Sequence, residues 1–363
     1  MPAEYLSVEE VATALGVHRK TVERYIRDGK LRGVKLGTMY RVKRTDLEEM
    51  LGERRPDPAP RCQVIAVTNH KGGVGKTTTC INLAASLAQQ RFHVLLVDLD
   101  PQASLTLHLG FMPDKLERTV YTALQAAAKR APYDYNRLLL DAGGGVSLLP
   151  ANLELSGFDL ALNHVLNREH LVKSVIEALK ANFDFVIFDC GPNISLLMIN
   201  ALTAANWVLV PVEAEFLAVR GISLLMETIE EVQSTTNPAL KILGILITKY
   251  DARGNVTRDL VANVREAYGR HIHVFPTIIP RALRVVESSV EGQSVVVFDP
   301  DSPPARAYVQ FGREVLVQTG LRDEETLPTL EEPQALAALP AGEGANGTGS
   351  AGRRSRTGSA RGA

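Results

Sequence analysis

Cysteine, net charge and long apolar runs are all scarce in this chain, and each shortage excludes something. Only three cysteines, Cys62, Cys80 and Cys190, occur in 363 residues. They make no CxxC pair and no His/Cys cluster at metal-ligand spacing, so a disulfide scaffold is excluded and a reducing cytoplasm fits. A formal net charge of -1 gives the whole molecule no pull on a polyanion, so any nucleic-acid contact has to come from local patches. No apolar run reaches the roughly eighteen residues a membrane span needs, the nearest being broken by Asn206, Glu213 and Glu215. The opening MPAEYLS has no basic stretch leading into an apolar core, so no secretion signal is expected.

What is present centres on residues 71–78, KGGVGKTT, close to the phosphate-binding pattern G-x-x-x-x-G-K-[ST] but without its first glycine in place. A loop around a polyphosphate needs backbone N–H groups pointing inward, and Gly72, Gly73, Val74 and Gly75 supply a run with little side-chain obstruction. A helix must follow at once, so that its N-terminus adds favourable partial charge. VIAVTN, residues 64–69, reads as a buried strand, and residues 77–88 read as a helix with Ile81, Leu83, Ala84, Leu87 and Ala88 apolar. In such a strand, loop and helix, Lys76 reaches the β- and γ-phosphates, Thr77 places its hydroxyl on Mg²⁺, and Thr78 completes the nucleotide-binding run. The plainer alternative is a glycine turn with an incidental Gly-Lys-Thr.

The run KGGVGKTTTCINLAASLA resembles the deviant phosphate-binding box of the ParA/MinD class of P-loop ATPases, marked by a second, earlier lysine. The resemblance covers residues 62–320. It implies an α/β P-loop NTPase fold, a mostly parallel sheet flanked by helices, with ATP and Mg²⁺ as cofactors. It also implies that Lys71 reaches across an ATP-cemented homodimer to the nucleotide of the second copy. Iron–sulfur relatives of this class need bridging cysteines in later loops, where this chain has none.

Residues 1–52 read as a separate small module. Ser7 and Glu10 make a capping box ahead of Val8, Val11, Ala12 and Leu15 at helical spacing, and Gly16 ends that helix. Residues 18–28 read as a second helix with Val22, Tyr25 and Ile26 inward, and two helices joined at a glycine suggest a helix-turn-helix. Beyond Gly29, two runs around Gly37 read as a wing, with Thr45 capping a closing helix. The module resembles the excisionase/MerR-like winged helix domains, and that resemblance implies DNA binding. Residues 1–55 hold twelve Lys/Arg and nine Asp/Glu, but the cations cluster: Arg19, Lys20, Arg24 and Arg27 on one helix, Lys35, Arg41, Lys43 and Arg44 on the wing. Arg19, Lys20 and Arg24 are expected to read bases and the wing to hold phosphates. A solvated face on a protein-docking domain is the alternative.

Residues 53–61, ERRPDPAPR, form a Pro-rich spacer. From there to residue 322 strand runs alternate with helical patterns, as in a parallel sheet with crossover helices. Strands are expected at 94–100, 146–151, 183–190, 207–213, 242–250 and 274–280. VLLVDLDPQAS ends in Asp98 and Asp100, expected to project to opposite faces and to differ in role. The resemblance gives Asp100, just before Pro101 and Gln102, the alignment of the attacking water, and leaves Asp98 as support near the metal or the loop lysine. FDFVIFDC leads to Asp189, which by the same resemblance holds Mg²⁺ through water. Gly191 stands where the family usually has Pro, which implies a looser loop after that strand.

Thr248, Lys249 and Pro280 are expected near the base. On the late part of the domain the family binds DNA without sequence preference once ATP has closed the dimer, which draws attention to Arg253, Arg258, Arg265, Arg281 and Arg284. About six phosphate contacts would lose roughly 10³ in affinity between 50 and 200 mM salt. Pairing with Asp259, Glu266 or Glu287 is the alternative for some of these arginines. Residues 323–363 turn to Ala, Gly, Pro, Ser and Arg, including Arg353, Arg354, Arg356 and Arg361, and have no composition for a core. They carry no apolar helix face of the kind by which MinD-like relatives reach membranes. Together the two resemblances imply a cytoplasmic, nucleoid-associated DNA-segregation ATPase released from DNA by a ParB-like partner. The competing reading is an ATP-controlled regulator that binds its own operator.

Overall fold

The computed structural model describes residues 5–323, apart from 16, 28–30, 32, 37–38, 44–46, 48–61, 214–217 and 252–254. The expectations for Gly16, Gly29, Gly37, Arg44, Thr45, the 53–61 spacer, Arg253 and the tail lie outside the described residues, as do the side chains of Lys35, Lys43 and Arg258.

In the N-terminal module β1 (Tyr5–Ser7) runs directly into α1 (Val8–Ala14), followed by α2 (Arg19–Arg27), β2 (Val34–Leu36) and β3 (Met39–Lys43). The capping box is formed: Ser7 Oγ accepts from the Glu10 amide at 3.2 Å, and the Ser7 amide donates to Glu10 Oε2 at 2.7 Å. The expected hairpin pairs Val34 with Arg41 and Leu36 with Met39. A third strand joins it, because β1 pairs antiparallel with β3, Leu6 opposite Val42. Leu6, Val8, Val11, Val22, Leu31, Val42 and Leu47 close one small core, with Tyr25 and Ile26 packed on it.

The larger part is one eight-stranded sheet. In chain order its main elements are β4 (Gln63–Val67), α3 (Lys76–Gln89), β5 (Val94–Leu99), α4 (Val120–Ala128), β6 (Leu140–Asp141), β7 (Val146–Leu149), α5 (Leu171–Leu179) and β8 (Phe185–Cys190). There follow α6 (Leu196–Ala204), β9 (Trp207–Glu213), α7 (Ala218–Thr235), β10 (Lys241–Tyr250), α8 (Asn255–Tyr268), β11 (Val274–Pro280), α9 (Leu283–Val290) and α10 (Pro303–Gln318). The strand order is β11-β10-β9-β4-β8-β5-β7-β6, parallel throughout except for the two-residue β6, which pairs antiparallel with β7.

Strands covered on both faces need apolar residues at every position, which is why β5 and β8 are buried along their whole length. Alternation divides the core in two: Val64, Ala66, Leu95 and Val97 face α4, α5, α6 and α7, while Ile65, Val67, Leu96 and Ile187 face α3 and α10. α10 meets α3 with almost no clearance, since a Cβ on Gly312 would come within 2.2 Å of Ser86 Oγ. Parallel strands put their carboxyl ends on one side, so the loop after β4 and the ends of β5, β8, β10 and β11 converge there.

Candidate active site

The loop between β4 and α3 is held from three directions. Asn69 Nδ2 donates to the Pro211 carbonyl at 2.8 Å, and Asn69 Oδ1 accepts from the Lys71 amide at 2.9 Å. Thr248 Oγ1, from β10, donates to the Val74 carbonyl at 2.7 Å. Gly73 and Gly75 have φ of 76° and 86°, a region where a Cβ is strained. A Cβ at Gly72 or Gly73 would meet nothing within 4 Å, so these residues line open space. Gly75 precedes α3 without any side-chain cap, which leaves the first helical turn to an anion.

Lys76 begins α3 and is buried. Its Nζ donates to the carbonyls of Asn69 and Lys71, both at 3.1 Å, which places the ammonium at the centre of the loop. Burial lowers its pKa, and the carboxylates of Asp189 and Asp100 oppose that shift. The carbonyl of Lys71 is thereby tied to Lys76 Nζ, and its amide to Asn69.

Asp189, near the end of β8, is 1% exposed, and neither carboxylate oxygen has a hydrogen-bond partner. Burial first, then the charge of Asp98, pushes its pKa up to about 8, while the Thr77 hydroxyl and Lys76 pull the other way. A buried carboxylate with two unsatisfied oxygens beside a hydroxyl fits a hard divalent cation such as Mg²⁺, which prefers oxygen ligands.

Asp98 and Asp100 do not project apart. Residues i and i+2 of a strand lie on the same side, and the Asp100 amide donates to Asp98 Oδ1 at 3.1 Å. Their surroundings nevertheless differ. Asp98 is fully buried, and its Oδ2 accepts from the Thr106 amide at 2.9 Å and the Thr106 hydroxyl at 2.7 Å. Burial pushes its pKa to about 6 against these hydrogen bonds. Asp98 therefore anchors the segment after β5, opposite Asp189 in register. Asp100 is half-exposed, with Oδ1 accepting from the Gln102 amide at 3.0 Å. A Cβ on Gly191 would lie 3.4 Å from that same oxygen, so the loop after β8 runs against Asp100.

A cavity of about 770 Å³ opens beside the loop. Gly75, Thr78, His108, Thr248, Pro280 and Val286 are among the residues that line it. Thr248, Lys249 and Pro280, the residues expected near the base, all line this one cavity. Sequence reading passed over His108, Asn69 and Thr106; of the three, Asn69 alone carried a signal, as the residue between the strand and the loop.

The basic residues are placed unevenly. Lys20, Arg24 and Arg27 are exposed on α2, while Arg19 pairs with Glu9 at 2.6 Å and Glu23 at 2.9 Å. Arg41 is half-exposed on the wing. Arg281 pairs with Glu213 at 2.7 Å, and Arg284 bridges Glu287 at 2.9 Å and Asp299 at 3.0 Å. Arg265 donates to the Pro276 carbonyl at 3.4 Å. Exposed ion pairs are worth about 0–1 kcal/mol, less than a charge-assisted bond to phosphate can return, so these pairs do not close the arginines to DNA.

A family model described as an AAA domain matches residues 62–242, and one described as a helix-turn-helix domain matches residues 5–55. The sporulation initiation inhibitor protein Soj of Bacillus subtilis is 38% identical over 253 residues, 70% of this chain and 98% of Soj. This chain belongs to the ParA/MinD family of P-loop ATPases. A second ParA/MinD relative, the chromosome partitioning protein ParA of Caulobacter vibrioides, is 36% identical over 256 residues, covering 70% of this chain and 94% of that protein. Among solved structures, cobyrinic acid a,c-diamide synthase from Mycobacterium smegmatis with bound ADP and magnesium is 38% identical, with TM-score 0.62 over 71% of this chain and 96% of that one. A Borrelia burgdorferi plasmid partition protein bound to AMPPNP shares the ParA/MinD fold at 22% identity and TM-score 0.58. The cofactors are ATP and Mg²⁺; Lys76 could meet the phosphates, and Thr77 and Asp189 could hold the metal.

Proposed function

We propose that this protein is a DNA-partition ATPase that dimerises on ATP, binds DNA in that state, and is released when a ParB-like partner stimulates hydrolysis. The observation that carries this reading is the pairing of the Lys76–Thr77–Asp189 site, preceded by the early lysine Lys71, with a helix-turn-helix module whose second helix exposes Lys20, Arg24 and Arg27. In this reading residues 1–52 form the DNA-reading module, 62–322 the ATPase and 323–363 a tail.

Lys76 exchanges the carbonyls of Asn69 and Lys71 for phosphate oxygens, and the loop amides from Gly72 to Thr78 surround them. Thr77 and Asp189 hold Mg²⁺, which neutralises phosphate charge when bound. Lys71 reaches the nucleotide of the second copy. Asp100, half-exposed and adjacent to Gly191, aligns water. The residues do little beyond positioning, so unassisted hydrolysis is slow. DNA contact comes from Arg19, Lys20, Arg24, Arg27, Arg41 and Lys43 on the module, and from Arg253, Arg258, Arg281 and Arg284 on the ATPase. The protein then resides on the nucleoid.

The exposed cations of α2 also favour a second role, binding to its own operator. The similarity to a cobyrinic acid a,c-diamide synthase concerns the nucleotide fold, and the N-terminal module favours partition over ligase chemistry. The deciding experiment is fluorescence anisotropy on a random-sequence duplex with ATP, with ADP and without nucleotide. Tight binding with ATP alone is expected; equal binding in all three states would discard the partition reading for the regulator.

A further inference from the structure

On the helix Ser104–His108, the side chains of Thr106 and His108 have different neighbours. Thr106 is held by Asp98 at 2.7 Å, which ties the helix to the end of β5. His108 has no such anchor. Its Nδ1 is buried and has no hydrogen-bond partner, yet the residue lines the cavity beside the phosphate loop, together with Thr78, Thr248 and Pro280. Nδ1 is closed off and Nε2 is not, so Nε2 is the nitrogen that the ring can offer to the cavity.

Burial lowers the pKa of His108, so the imidazole is neutral near pH 7 and carries one N–H. That proton has two places to go. On Nδ1 it would be a buried donor without an acceptor, which proteins tolerate less well than an unused acceptor. On Nε2 it faces the cavity. The surroundings therefore select the Nε2–H tautomer and fix a donor on the wall. Gly75 and Thr78, from the phosphate loop and the helix after it, share this cavity with the apolar Ile279, Pro280, Val285 and Val286, a lining that suits a base.

We propose that His108 donates a hydrogen bond from Nε2 to an acceptor on the sugar–base half of the bound nucleotide and is a specificity-determining residue of this site. The proposal rests on the assignment of the cavity to ATP. A donor fixed to the segment that follows Asp100 would also let the sugar and base sense the water-aligning end of β5.

The test is calorimetric titration of the full-length chain with a non-hydrolysable ATP analogue and with inorganic tripolyphosphate, each with Mg²⁺. Wild type is compared with His108→Ala, His108→Gln and His108→Asn at one pH. The amide nitrogen of Gln falls near the place of Nε2 and that of Asn near Nδ1. His108→Ala is expected to weaken the analogue about three- to tenfold, the worth of one neutral hydrogen bond, and to leave tripolyphosphate unchanged. Gln should restore affinity and Asn should not. The proposal is overturned by wild-type affinity in His108→Ala, by equal loss for tripolyphosphate, or by equal restoration by Gln and Asn. Melting of the nucleotide-free chains checks the fold; if Ala melts early, the Gln and Asn pair decides alone. Failure of wild type to bind the analogue would instead remove the ATP assignment of the cavity.

Discussion

At Asp189 the fold and the chemistry ask for opposite things, and pH separates them. In the nucleotide-free protein its carboxyl titrates at about 8, raised from 3.8 first by burial and then by Asp98. The native state thus binds a proton that the unfolded chain has released, so this contribution to stability is complete below the unfolded value. It is lost as pH rises through about 8. Melting in chelator should show stability falling from weak acid toward pH 8, and Asp189→Asn should flatten that slope. Mg²⁺ with ATP should flatten it as well, by compensating the charge. A slope identical in wild type and Asp189→Asn would remove Asp189 as its source. The same substitution should lower ATP hydrolysis by about 10²-fold or more, because the metal loses its protein carboxylate. Asp100→Ala is expected to behave differently: binding of ATP persists, hydrolysis stops, and the protein stays on DNA. An unchanged hydrolysis rate would withdraw Asp100 from the mechanism.

Among the elements, the contact between α3 and α10 is the tightest test of packing. Gly312→Ala puts a methyl group where Ser86 Oγ now lies, at 2.2 Å, and should destabilise by about 1–3 kcal/mol as the helices part. Ser86→Gly in the same chain should recover most of that loss in a denaturant titration, and additive losses would mean that the clash relaxes elsewhere. Local signals made much of this architecture legible in advance. The Ser7–Glu10 box, the apolar stripe of α3 and the apolar runs of β5, β8 and β9 all act within a few residues, so sequence carries them directly. β1 was not legible, because three residues have no periodicity and their partners, Arg41, Val42 and Lys43, lie far along the chain. β6 is shorter still. The ion partners of Arg19, Arg281 and Arg284 divide in the same way: Glu23 and Glu287 sit one helical turn away and could be foreseen, whereas Glu9, Glu213 and Asp299 come from other segments. His108 needed the cavity, a property of several loops at once, before it meant anything.

For the whole molecule, salt distinguishes the two proposed DNA surfaces. Replacing Lys20, Arg24 and Arg27 by Ala should reduce the dependence of log affinity on log salt by about two to three units if all three neutralise phosphates. The loss should appear in the ATP state, in which tight binding is expected. A salt slope unchanged by the three substitutions would assign the contacts to the ATPase instead. The edges of the main sheet carry a consequence for crowding. β6 is two residues long, and β11, at the other edge, holds Pro276 and Pro280, neither of which has an N–H to offer. Both features blunt the borders as templates for an incoming strand. If many copies gather on one stretch of DNA, as the proposed function requires, they would meet without a long sticky rim, and crowding should not tip them toward fibrils.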